Sequence, residues 1–95
     1  MDSMDAYRKK ANARLDEIGA KIDQLKAKAE QADADARIKA EQEIDQLKQR
    51  KQEMQTRLDN LKESGEAAFD EIKAGTEEAF KNLTSAVEKA ASKFN

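Results

Sequence analysis

Residues 15–26 read LDEIGAKIDQLK, and within them Leu15, Ile18, Ile22 and Leu25 fall three, four and three positions apart. That rhythm places all four on one face of a helix and is the signature of a helix packing against another helix along a narrow apolar seam. Followed outward, the seam runs from Met4 and Arg8 through Ala11 to Ala29, Ala32 and Ala36. The spacing then skips by one and resumes through Ala40, Ile44, Leu47, Lys51, Met54, Leu58 and Leu61. Such a skip acts as a stutter, which locally unwinds a left-handed supercoil. The pentapeptide Ile22-Asp23-Gln24-Leu25-Lys26 returns as Ile44-Asp45-Gln46-Leu47-Lys48.

The residues between the seam positions favour helix too. Ala, Glu, Lys, Gln and Arg dominate, and all are strong helix formers. Acids stand four positions ahead of bases at Asp5/Lys9, Glu17/Lys21, Asp33/Arg37, Asp35/Lys39, Glu53/Arg57 and Glu77/Lys81, an arrangement that supports exposed helix faces. Proline is absent, so glycine marks the credible breaks. Ser64-Gly65 is the best of them, because glycine adopts the left-handed conformation that follows a helix end. Gly75-Thr76 is the second, with Thr76 able to cap a new turn. Gln31 to Asp35 would divide the chain more evenly, but holds neither glycine nor proline.

The fold expected is all-α, a single helical domain over 1–95. A long amphipathic helix spans 4–62, about 85 to 90 Å at 1.5 Å per residue. A turn at Gly65 then folds back a C-terminal amphipathic helix over 66–94, in coiled-coil or helical-bundle packing. The apolar face of that second helix is Phe69, Ile72, Phe80, Leu83, Val87 and Phe94. The alanines of the middle, Ala27, Ala29, Ala32, Ala34, Ala36 and Ala40, make the long helix thin and suit an antiparallel self-association centred there.

Composition narrows the function. The 95 residues include no Cys, His, Trp or Pro, and with them go thiol chemistry, disulfides and the usual general bases. No enzyme activity and no cofactor or metal are expected. Asp33 and Asp35 lie on different helix faces, so capping or surface pairing suits them better than a metal. The 18 basic and 20 acidic residues interleave to a net charge of −2, which argues against nucleic acid. The basic clusters, Arg8-Lys9-Lys10 with Arg14 and Arg50-Lys51, read as solvated helix faces. Within the seam, Arg8 and Lys51 are the polar positions expected to snorkel or to set register. A cytoplasmic location follows from the cysteine-free composition and from the lack of a signal-like or membrane-spanning apolar run.

Two resemblances attach to these residues. The motif Glu66-Ala67-Ala68-Phe69, repeated as Glu77-Glu78-Ala79-Phe80, belongs to an eleven-residue period, and over about 66–94 it resembles the repeats of exchangeable apolipoproteins and late-embryogenesis-abundant proteins. The whole chain resembles small bacterial coiled-coil proteins with an Ile-Asp-x-Leu seam, an alanine-rich middle and an ending like Phe80-Lys81-Asn82-Leu83 through Phe94, a group that brings no activity with it.

The function expected is therefore a non-enzymatic structural or interaction protein. It would self-assemble as an antiparallel dimer or tetramer, or bind a helical partner, through Leu15, Ile18, Ile22, Leu25, Ala29, Ala32, Ala36, Ala40, Ile44, Leu47, Met54, Leu58 and Leu61. The alternative, carried by the apolipoprotein-like repeat, is an amphipathic helix that folds on a membrane surface or protects under stress.

Overall fold

The computed structural model describes residues 3–93, and they form an all-α bundle. Helix α1 spans Ser3–Glu30, α2 spans Ala34–Leu61 and α3 spans Phe69–Ser92, the last entered through a 3-10 turn at Glu66–Ala68. Side-chain contacts fix the directions. Arg8 meets Leu58 and Asn12 meets Gln55, so α1 and α2 are antiparallel. Tyr7 meets Phe69 and Arg14 meets Glu77, so α1 and α3 run the same way. The bundle measures 50 × 18 × 17 Å, little longer than a single helix of 28 residues.

The long helix expected over 4–62 is thus two helices, and the break falls at Gln31–Asp33. Here the first helix tightens as it ends, with Gln31 N–H donating to Lys28 O at 3.1 Å and Ala32 N–H to Ala29 O at 3.1 Å. Asp33 then takes an extended conformation, φ −64° and ψ 167°, and its carboxylate accepts from Ala36 N–H at 3.0 Å. An aspartate N-cap satisfies an orphan amide and places negative charge at the positive end of the helix dipole, and Asp35 in the first turn adds to it. The one-residue skip in the heptads marks this turn rather than a stutter in a continuous rod. Ala36, expected in the seam, is exposed, and Ala32 is half-buried in the turn itself. Ala29 and Ala40 are buried on either side of it, 1 % and 4 % exposed.

Hairpin formation has a physical advantage over a straight rod. A rod must find a second chain and lose translational freedom to bury its seam. A three-residue connection brings the two halves of the same seam together at little loop-closure cost. Replacing the cap by Asp33→Ala should lower the unfolding free energy by about 1 kcal/mol. Urea unfolding followed by far-ultraviolet circular dichroism checks this, and an unchanged midpoint would mean the turn is held by packing alone.

The second turn lies where glycine predicts it. Ser64 Oγ donates to Leu61 O at 2.9 Å and closes the end of α2, and Gly65 takes φ +74°, a region that side chains with a Cβ avoid. At Gly75-Thr76, by contrast, α3 runs on without a break. Gly75 is exposed and Thr76 is fully buried on the inner face, so the pair belongs to a helix interior and caps nothing.

The core is one continuous strip. Leu15, Ile22, Leu58, Leu61, Phe80 and Leu83 are all 2 % exposed or less and form its centre. Met4 and Tyr7 close it near the start of α1, and Ala29 and Ala40 close it at the α1–α2 turn.

Candidate functional site

The seam residues named from sequence come together, but in one chain. Leu15, Ile18, Ile22, Leu25 and Ala29 of α1 and Ala40, Ile44, Leu47, Met54, Leu58 and Leu61 of α2 are all buried, and α3 covers them with Phe80, Leu83 and Val87. Of the expected C-terminal face, Phe69 and Ile72 are partly buried against the same core. Phe94 lies outside the described residues. The apolar surface expected to hold a partner is spent on the bundle's own interior.

The two polar seam positions behave differently from the apolar ones. Met4, Tyr7 and Ala11 keep the inward rhythm, so Tyr7 enters the core and Arg8 stays at its edge, where its Nε donates to Leu58 O at 3.2 Å. Lys51 crosses α1 at Gly19, and its Cε would lie 3.0 Å from a Cβ built there. A glycine at that place lets the lysine stem pass over α1 and reach solvent.

Between α1 and α3 lies a cluster of charged and aromatic side chains. Arg14 donates to Glu77 Oε2 at 2.6 Å, and its guanidinium carbon sits 4.1 Å from the centroid of Phe80. Tyr7 meets Phe69 edge to face at 5.8 Å, and Lys73 Nζ lies 5.3 Å from the Tyr7 ring. Cation–π contacts of this kind contribute roughly 0.5–1 kcal/mol at exposed sites. Their combined effect is to fix α3 in register on α1. Sequence reading missed this cluster because its partners are more than 60 positions apart, and no local period links Arg14 to Glu77.

The Tyr7 hydroxyl is buried facing this cluster and, among the described residues, closes no hydrogen bond of good geometry, and neither does the Thr76 hydroxyl. Burial raises the Tyr7 pKa above its ordinary value, the nearby Glu77 carboxylate adds to the rise, and Arg14 opposes it. The folded state therefore holds the phenolic proton more tightly than the unfolded chain does. Stability from this source is complete below about pH 10, the unfolded value, and is lost as pH rises through the folded one. Tyr7 is the chain's single tyrosine, so its absorbance reports it alone. The native protein should ionise at higher pH than the same chain in denaturant; coincident titrations would show the ring to be solvated.

Three shallow grooves separate the helices. The α1/α2 groove has Asp16 and Asp23 facing Lys48 and Lys51. The α1/α3 groove is narrow beside Arg14 and Thr84, about 110 Å³, and widens beside Gln24 and Lys28 to about 250 Å³. The α2/α3 groove holds cavities of about 320 Å³ and 240 Å³ joined at Arg50. Among the described residues no cluster of three metal-ligating side chains forms, and no helix is long and apolar enough to cross a membrane. Asp33, weighed as a ligand from sequence, is the α2 cap.

No known family, curated protein or solved structure matches this chain.

Proposed function

We propose that the chain is a non-enzymatic interaction protein, a pre-folded three-helix module that associates with copies of itself or with a helical partner through the flanks of its helices. The observation that directs this reading to the flanks is the burial of the seam: eleven of the thirteen positions expected to bind a partner lie in the core of a single chain, with Ala32 and Ala36 as the two outside it. What a partner meets is charged helix flank and shallow groove. The cysteine-free composition fits a cytoplasmic setting.

The lipid-surface alternative asks more of this fold. Phe80, Leu83 and Val87, which would enter a headgroup layer, are at most 2 % exposed, so α3 would first have to leave α1 and α2. Flank-to-flank association leaves the bundle intact.

The experiment is a thermal melt by circular dichroism at two protein concentrations, with and without anionic vesicles, beside sedimentation equilibrium. A midpoint that rises with concentration supports association, since a ligand of the native state stabilises it by mass action. A monomer at hundreds of micromolar, with helicity or stability changed by vesicles, would reverse the choice between the readings.

A further inference from the structure

We propose that the flank of α2 beside α3 is a self-association surface, on which α2 of a second copy lies antiparallel about a two-fold axis between Arg50 and Glu53. This rests on the self-assembly reading above and names its face.

Next to its buried seam, α2 carries a second stripe at the same alternating spacing of three and four: Glu43, Gln46, Arg50, Glu53, Arg57 and Asn60. Five of the six are exposed and Glu43 is half-buried. The order matters because it is complementary to its own reverse. Laid antiparallel, Arg50 meets Glu53 of the second copy and Glu53 meets its Arg50. Arg57 then meets Gln46, and Glu43 meets Asn60, each twice by symmetry. Within the stripe no like charges face each other. Within the chain Glu43 pairs with Lys93, while Arg50, Glu53 and Arg57 make neither a hydrogen bond nor an ion pair among the described residues.

The neighbouring helix leaves room for the visitor. Beside Arg50, Glu53 and Arg57, α3 presents Ala79 and Asn82, and farther along, beside Glu43 and Gln46, it presents Ala86, Lys89 and Lys93. The groove floor is apolar, with Met54 and Leu83 beneath one cavity and Leu47 and Ala90 beneath the other. Short side chains over an apolar floor beside Arg50, Glu53 and Arg57 let a second helix approach closely at the two-fold axis, and the charge order fixes its direction.

Charge complementarity selects a second copy over other occupants. A uniformly acidic helix would meet Glu53, and a uniformly basic one would meet Arg50, Arg57 and Lys89. A helix in the reverse order meets Arg50 and Glu53 with opposite charge and sets neutral Gln46 against Arg57, and this chain supplies one. In the α1/α2 groove the acids and bases already face each other within the chain.

Sedimentation equilibrium on the full chain tests this with Arg50→Glu, Glu53→Arg, the double variant, and Ala20→Glu in the α1/α2 groove as a control. Both charged positions are exposed, so the fold should persist, as a melt at low concentration checks. Each single variant should weaken the dimer about tenfold, by turning two attractions into repulsions. The double variant should restore it, and the two single variants, mixed, should pair with each other in preference to themselves. A wild-type chain that stays monomeric overturns the self-assembly reading and this surface together. A wild-type dimer whose affinity the single variants leave unchanged, or which Ala20→Glu weakens equally, overturns this surface alone.

Discussion

Phe80→Ala should lower the unfolding free energy by about 3–5 kcal/mol, a large share of what a domain of this size possesses. Phe80 is fully buried, lies in the middle of α3, and has the Arg14 guanidinium over its ring. Truncation removes its burial, leaves a cavity, and takes away the surface on which Arg14 rests. The loss should appear as one cooperative transition at lower urea concentration, because α3 packs on both other helices. Far-ultraviolet circular dichroism measures the amplitude. A two-step curve whose first step carries only the helicity of the 24 residues of α3 would show that the α1–α2 hairpin is a separate cooperative unit.

Leu15→Asp should be more damaging still at neutral pH. Leu15 is 1 % exposed in α1, inside the core cluster. A carboxylate placed there would lose its hydration, at a cost of several kcal/mol even after relaxation, and should leave the chain largely unfolded. The pH dependence identifies the cause. Burial raises the folded-state pKa of the introduced acid above about 3.9, its unfolded value. The penalty is thus full above the folded pKa and shrinks as pH falls through it towards the unfolded one. The difference in stability between variant and wild type should narrow between pH 7 and pH 4. A constant difference across that range would assign the damage to lost packing rather than to buried charge.

These two substitutions, both at core positions, separate what is local in this fold from what is not. The inward positions Leu15, Ile22, Leu47 and Leu58 are legible because helical geometry dictates that residues three and four apart share a face, whatever they face. The turn at Gly65 is legible for a similar reason, since a positive φ needs glycine. The turn at Gln31–Asp33 is not marked in that way. Gln31 and Ala32 suit a helix interior and Asp33 a helix start, and Asp33 becomes a cap only when the chain reverses there.

The candidate association surface was similarly hidden. Arg50, Glu53 and Arg57 read as ordinary solvated charges until the fold places them beside the short side chains of α3. The same holds for Arg14 and Glu77, which are brought together by the parallel packing of α1 and α3.

What the sequence determined by itself is the helical state, the apolar face of each helix and one of the two turns, because these follow from backbone geometry within a few residues. Tertiary structure decided which chain that face meets. A seam carries the same pattern whether it pairs with a second molecule or with its own continuation. The choice depends on comparing the cost of closing a three-residue turn with the cost of capturing a partner, and no local spacing records that comparison.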